Sequence, residues 1–357
     1  MQSKKSKELT RRQFMRDGAI AAAGLAAGLN VLKAQGAGDM AAVRKTRSYN
    51  PEMEYRRLGK TGLWVSAACL GGHWKRIDKI ITDAPGAFEQ NRRDVVNRCM
   101  EQGINYIDFA GDAEPEAYCK ALGSRREEMY LAYSHPASEI RNPANRNAKK
   151  LLELFEVGLK RCKLEYADIW RIMALERGGR HSQPEAEEMV KALDIARKQG
   201  KCRFTGLSTH DRKWAKMLIE TYPDVIQVLV FPYTAASKAV PQHSLFDAIK
   251  KYDVGTLGIK PFASNSLFKG DGSPDSSFAE QDDRRARMAI RYILCNPAIT
   301  APIPGLVSIH QVDNVVKAVK ERRELDVAEK AELQKATDEM WARLPQEYQW
   351  LKEWKYV

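Results

Sequence analysis

Short apolar runs in this chain repeatedly end in side chains that can bind or move a proton. The stretch "INYIDFAGDAEP" (104–115) carries Asp108 inside such a run. An ionised carboxylate there is costly to bury unless it is paired or faces a cavity. Other runs end at His73 and Trp74, Ser134 and His135, Met173 and Glu176, Ser208 to His210, Phe231 and Tyr233, Lys260, and Gly305 with Ser308. An unperturbed histidine, with a pKa of about 6.5, suits proton transfer at neutral pH. His73, His135 and His210 are therefore candidate general acids, which Asp108 or Asp112 could orient. With Glu176, these six residues also have the groups for a divalent metal, or for acid–base hydrolysis or lyase chemistry. They lie on different segments, so spacing certifies no metal site and none is assigned. The six cysteines (Cys69, Cys99, Cys119, Cys162, Cys202, Cys295) are scattered without a C-x-x-C pair and read as small core residues.

The elements that must position these groups follow from the pattern of apolar residues. After residue 55, buried-strand runs ("INYIDFA", "MYLAYS", "DIWRIMAL", "CRFTGLST", "VIQVLVF", "VGTLGIKPF", "TAPIPG") alternate with amphipathic helical stretches, several with Gly near the C-terminal end. About eight strand–helix units over roughly 270 residues predict an α/β chain with a closed (β/α)8 barrel, entered by a β-hairpin around Lys60-Thr61-Gly62. No G-x-G-x-x-G follows the first strand, which weakens a Rossmann reading. In a barrel, chemistry gathers at the C-terminal ends of the strands, which is where the residues above fall.

The chain has 357 residues and a formal charge of +12. Residues 1–50 hold ten Lys or Arg against three acids, so they carry +7 and the rest of the chain +5. That distribution predicts no nucleic-acid footprint. Within "TRRQFMRDGAIAAAGLAAGL", Arg11 and Arg12 precede a weakly apolar Ala/Gly stretch too short to span a membrane. The segment resembles a twin-arginine export signal. We therefore assign 1–45 to signal and linker, and expect the twin-arginine export machinery as a partner. The expected location is the periplasm or the outer face of the cytoplasmic membrane, anchored there if the signal stays uncleaved.

Five segments in order, "YRRLGKTGLWVSAACLGG", "GINYIDFA", "GKCRFTGLSTH", "VIQVLVFPY" and "NPAITAPIPGLVSIHQVDN", resemble the aldo-keto reductase family of nicotinamide-dependent oxidoreductases over residues 54–322. The resemblance implies a barrel, an NADP or NAD cofactor and a small carbonyl or sugar-like ligand. It also implies a tyrosine general acid, a lysine and an aspartate that tune it, and a histidine that orients the carbonyl. Asp108 matches the aspartate. The tyrosine position falls in the Ala113 region, and no tyrosine occurs from Phe109 to Ala117; Ser134 stands where the lysine would be and Met173 where the histidine would be. On the cofactor side, Ser208, Thr209 and Gln227 match positions that hold the carboxamide. Lys260 joins this side, and Gly305, Ser308, Gln311 and Asp313 or Asn314 match the loop and helix start that grip the adenosine phosphate. Ser308 and His310 stand where a basic residue for a 2′-phosphate is expected.

"GLSTHD" and "GIKPFASN" resemble family members with a C-terminal ferredoxin-like module, but that module's cysteines are absent. Residues 323–357 read instead as a helical tail rich in Trp and Tyr, expected to pack over the barrel. The reading that follows is an oxidoreductase-like protein that binds the nicotinamide cofactor without the standard proton-transfer groups. The alternatives are replacement acids, a non-redox barrel enzyme, or a non-catalytic envelope binding protein. For Asp108 the expected partner is His135.

Overall fold

A computed structural model describes residues 39–357. The twin arginine and the stretch after it lie outside the described residues. The chain divides into two units, Met1–Lys45 and Thr46–Val357. Of the first, the described part includes a helical turn at 39–43. The second begins eight residues before the expected barrel boundary and includes the tail, so 323–357 is part of the same body.

That body opens with an antiparallel hairpin, β1 (Tyr55–Arg57) and β2 (Trp64–Ser66). Seven strands follow, each followed in turn by a helix. They are β3 (Tyr106–Asp108), β4 (Tyr130–Tyr133), β5 (Ala167–Met173), β6 (Cys202–Ser208), β7 (Val228–Pro232), β8 (Gly255–Ile259) and β9 (Ala301–Ile303). The helices are α1 (Ala87–Glu101), α2 (Glu114–Leu122), α3 (Ala148–Arg161), α4 (Gln183–Lys198), α5 (Arg212–Thr221), α6 (Leu245–Lys251), α7 (Ala279–Leu294), α8 (Ile309–Lys320) and α9 (Val327–Ala342). The seven strands pair in sequence order and all in parallel. All seven residues of β5 are buried, as a parallel strand covered on both faces requires.

The sheet closes through a segment too short to be a regular strand. Leu70 N donates to Tyr106 O and Asp108 N to Leu70 O, on the β3 side. Cys69 N donates to Pro302 O and Gly71 N to Pro304 O, on the β9 side. Cys69–Gly71 thus supplies the eighth stave of the barrel. The hairpin plugs the opposite end: Leu58, Leu63 and Val65 join one buried cluster with Tyr106, Tyr130, Ile169, Val228 and Leu257. Of the cysteines, Cys69, Cys99, Cys162 and Cys202 are buried, Cys119 is half-buried and Cys295 is exposed; all six are free thiols.

The tail lies across the barrel. After α9, a 3-10 segment, Gln346–Lys355, runs past the ends of β6 and β7. Trp354 Nε1 donates to His210 O (3.2 Å), Ser237 Oγ to Trp354 O (2.8 Å) and Lys238 N to Lys355 O (2.8 Å). Trp354 is 1% exposed and stacks near Phe231. Among the described residues no helix is long and apolar enough to cross a membrane.

Gly59 shows how tightly the plug fits. Its φ is +48°, and a Cβ there would lie 2.2 Å from Gly255 N and 2.5 Å from Asp253 O. Gly62, at φ +70°, has open space around that position. In urea unfolding, Gly59→Ala should cost about 3 kcal/mol through clash and strain, and Gly62→Ala only about 1 kcal/mol through strain.

Candidate active site

Asp108 is the last residue of β3 and is 1% exposed. Its partner is Arg171, not His135. Arg171 Nη2 donates to Asp108 Oδ2 (3.0 Å) and to Phe109 O (2.8 Å), and the arginine is also 1% exposed. The register explains the meeting: Asp108 sits level with Ala132 of β4, which sits level with Ile169 of β5, so Arg171 reaches back from two residues further along. The second oxygen, Asp108 Oδ1, is buried without a partner. Burial raises the Asp108 pKa to about 6, against the opposing pull of Arg171. Arg171 stands in "DIWRIMAL" beside a second charged residue, Asp168, so the linear sequence left open which carboxylate it meets.

The neighbouring strand ends are occupied differently. Ser134 follows β4, is fully buried, and donates to Phe109 O (2.8 Å). Met173 ends β5 and lines the cavity described below. After β3, the Ala113 region opens α2. Glu114, 2% exposed, uses its carboxylate as a clamp, accepting from His73 N and from Ala110 N (both 2.6 Å). Gly72 is required beside it, since a Cβ there would meet Glu114 Oε2 at 1.8 Å. Tyr118 is buried in α2 and donates to Gly71 O (2.8 Å), away from the mouth.

The three candidate histidines separate. His135 is half-buried on the loop after β4, its Nδ1 2.5 Å from Ser138 Oγ and 3.0 Å from Asp112 Oδ1. It is not among the residues that line the cavity. His73 lines it, on an exposed turn with φ +63°. His210 lines it too, buried at the end of β6 and stacked on Trp350 (4.1 Å between ring centres). His210 Nδ1 accepts from Arg177 N (3.1 Å), which leaves Nε2 as the protonated nitrogen of a neutral ring. Burial, then Lys260 and Arg141, hold its pKa well below the ordinary value.

A cavity of about 110 Å³ stands over the ion pair, lined by Asp108, Arg171, Met173, Ser208, His210 and Lys260 among others. A second, of about 490 Å³, runs from the loop after β8 to the start of α8, past Arg76, Ser308, Gln311 and Asn314. The two adjoin, sharing Lys75, Phe262, Asn265 and Gly305 in their walls. Their walls are unusual backbone: His73, Trp74, Arg76, Lys260, Ala263, Ser264 and Asn265 all have positive φ. Strain of this kind gathers where the fold holds a loop in place for a ligand. At the far end Ser308 caps α8, accepting from Gln311 N (3.2 Å), and Gln311 Oε1 accepts from Val307 N (2.9 Å). Asn314 ties α8 to α7 through Arg287 and Asp283 O. His310 pairs with Asp283 (2.6 Å).

Two of the cofactor-side residues do not reach the cleft. Thr209 spends its hydroxyl on Asp211 N (3.1 Å). Gln227 precedes β7, level with Thr205, and its Oε1 accepts from Thr205 N (3.1 Å), roughly a strand's half-length below Ser208. Among the described residues, no three His, Cys, Asp or Glu side chains converge as a metal set. Lys75 lines the cavity, with Tyr348 bonded to it and Trp350 stacked on His210, and none of the three stands in a recognisable motif.

Removing one partner of a buried ion pair strands the other. Asp108→Leu and Arg171→Met should each cost about 3–5 kcal/mol in urea unfolding. The double variant Asp108→Leu/Arg171→Met should cost less than either, a coupling that a double-mutant cycle measures. Because the Asp108 pKa is raised, its charged form opposes folding. That contribution should lower stability as pH rises from about 4, the unfolded value, to about 6.

The Aldo/keto reductase family model matches residues 82–338. The chain is 24% identical over 259 residues to L-glyceraldehyde 3-phosphate reductase of Escherichia coli (strain K12), covering 67% of this chain and 71% of that protein. It is 24% identical over 300 residues to L-galactose dehydrogenase of Arabidopsis thaliana, covering 77% and 90%. The holo form of aldo-keto reductase AKR11C1 from Bacillus halodurans superposes with a TM-score of 0.57 at 22% identity, over 80% of this chain and 96% of that one, and shares the fold. With most of the barrel matched from α1 to α9, the chain belongs to the aldo/keto reductase family.

Proposed function

We propose that this oxidoreductase-like barrel binds NADP(H) or NAD(H) stretched along the cleft, and that its proton-transfer centre is rebuilt from residues other than the family's tyrosine, lysine and histidine. The observation that carries the reading is that the two cavities adjoin. One end opens on Asp108, Ser208 and His210, the other on the N-terminus of α8, and their volumes together fall in the range of small-molecule and cofactor sites. A helix start with free N–H groups suits the adenosine phosphate. Lys75, Arg76 and Lys260 supply positive charge along the route. Asp108 Oδ1, buried and unpartnered, is an acceptor for a ligand donor such as an amide or hydroxyl.

When bound, such a cofactor supplies or takes up hydride. The chain's own residues do the rest. His210, neutral and protonated on Nε2, donates toward a carbonyl or hydroxyl oxygen in the cavity. Arg171 and Asp108 give the floor a fixed dipole, and Trp350 excludes water above His210. The substrates named for the relatives, an aldose phosphate and a sugar, suggest a small sugar-like carbonyl for this chain as well.

The protein should copurify with, or take up, NADP(H) or NAD(H), detected by mass spectrometry of the released nucleotide and by quenching of tryptophan fluorescence. Lys260→Met should weaken that binding about tenfold, the equivalent of 1.4 kcal/mol; lack of nucleotide binding by the parent would remove the reading.

We further propose export by the twin-arginine route, on the strength of Arg11, Arg12 and the weakly apolar stretch after them. Outside the cytoplasm no pool recharges a nicotinamide, so a cofactor carried out inside the folded protein would have to be tightly held. Replacing Arg11 and Arg12 together by lysine should leave the protein in the cytoplasmic fraction, and unchanged fractionation would count against export by this route.

A further inference from the structure

Two of the six free thiols meet on the outer layer of the barrel. Helices α2 and α3 follow the paired strands β3 and β4, so they are neighbours outside the sheet. Arg161, the last residue of α3, closes on Glu116 of α2, with 3.2 Å between Nε and Oε1. Cys119 lies one turn beyond Glu116 on the same side of α2, and Cys162 is the residue after Arg161 that caps α3. Across this seam the Cys119 thiol is in hydrogen-bonding contact with that of Cys162. Cys119 is half-buried and Cys162 is buried.

We propose that Cys119 and Cys162 form a disulfide that staples α2 to α3 when the protein meets a disulfide oxidant. That oxidant is either small, such as oxidised glutathione, or carried by a thiol–disulfide oxidoreductase. Cys119 Sγ, deprotonated, attacks one sulfur of it; a mixed disulfide forms as the oxidant's S–S bond breaks and one thiolate leaves. Cys162 Sγ, deprotonated in turn, attacks Cys119 Sγ and releases the second thiolate. The two protein thiols lose two electrons and two protons, and the oxidant takes them up as two thiols. The bond needs neither the nucleotide nor the export proposed above, although an oxidising compartment is where it would persist.

Three features single out this pair. First, both cysteines sit on backbone held in place. The Glu116–Arg161 ion pair ties the two helices together, and Cys162 N donates to Gly158 O (3.0 Å). Gly158 in turn packs so closely on Tyr133 Oη that no Cβ would fit between them. Second, access is one-sided. Cys69, Cys99 and Cys202 are buried, and the exposed Cys295 has Arg323 O as its contact. An incoming disulfide therefore meets Cys119 with Cys162 directly behind it, ready to resolve the mixed disulfide. Third, contact with Cys162, then burial, raises the Cys119 pKa, with Arg126 pulling the other way and Glu116 adding to the rise. A scarce thiolate reacts slowly and leaves slowly, so the bond once made resists reduction, as a structural cross-link does and a redox-catalytic pair does not. The staple bears on the mouth, because α2 begins with Glu114, whose carboxylate holds the turn at His73.

The test uses the full chain, purified reduced and then incubated with oxidised glutathione. It should lose two of its six thiols, counted after unfolding, and stay monomeric on a non-reducing gel. Peptide mapping with a protease that separates Cys99 from Cys119 should find Cys119 joined to Cys162. The oxidised chain should melt about 5 °C above the reduced one, and the shift should vanish on reduction. Cys119→Ser under the same treatment should lose no thiol pair and show no shift. An unchanged thiol count overturns the proposal, as do a bond mapped to other cysteines, glutathione left on Cys119 alone, or an oxidised chain that melts no higher than the reduced one. If Cys119→Ser fails to fold, the count, map and melting of the parent decide.

Discussion

A carboxylate and a guanidinium, each almost fully removed from water, meet at the strand ends of a largely apolar barrel. Most of what is distinctive in the mouth follows from that pair. Either charge alone would be prohibitive in such a place, and together they are tolerable only because the geometry lets them bond. Arg171 has to reach across β4 to do so, where Ala132 stands level with Asp108. Ser134 in turn bonds the same Phe109 carbonyl that Arg171 uses. The positive charge beside Asp108 therefore comes from β5, two strands along from β3.

Around that floor the mouth is assembled from loops under backbone strain and from a tail folded back over them. The turn at 73–76 and the loop at 260–265 hold seven non-glycine residues at positive φ. What keeps the first of these loops in shape is Glu114, whose two carboxylate oxygens each take a backbone N–H. Burial raises the pKa of that carboxyl, while the bonds from Ala110 and His73 lower it. The tail supplies the roof: Trp350 over His210, Trp354 against Phe231, and a short parallel bridge between Lys238 and Tyr356. An aromatic roof excludes water from the charges below it, and so strengthens every electrostatic contact there.

Membership of the aldo/keto reductase family and the shared barrel leave the site's chemistry open, because function resides in side chains and not in the scaffold. The relatives are about a quarter identical to this chain. At that distance the barrel persists while individual strand ends diverge. The strand ends around Asp108 carry a buried ion pair and a histidine whose pKa burial holds well below its ordinary value.

The barrel itself was legible in the linear pattern, because alternating buried strands and amphipathic helices admit few closed arrangements and each strand announces itself locally. The hairpin, the five family segments and Asp108 were legible for the same reason, since each is a local run of residues. Pairings between distant segments were not. Sequence reasoning gave Asp108 to His135, a neighbour in rank order along the rim, whereas the strand register delivers Arg171. It put Gln227 with the carboxamide-binding residues, whereas that side chain is spent on Thr205 partway down the barrel. Tyr348 and Trp350 read only as part of an aromatic tail. Periodicity fixes which face of an element is buried, but only the closure of the sheet and the path of the tail decide which buried groups come within bonding distance.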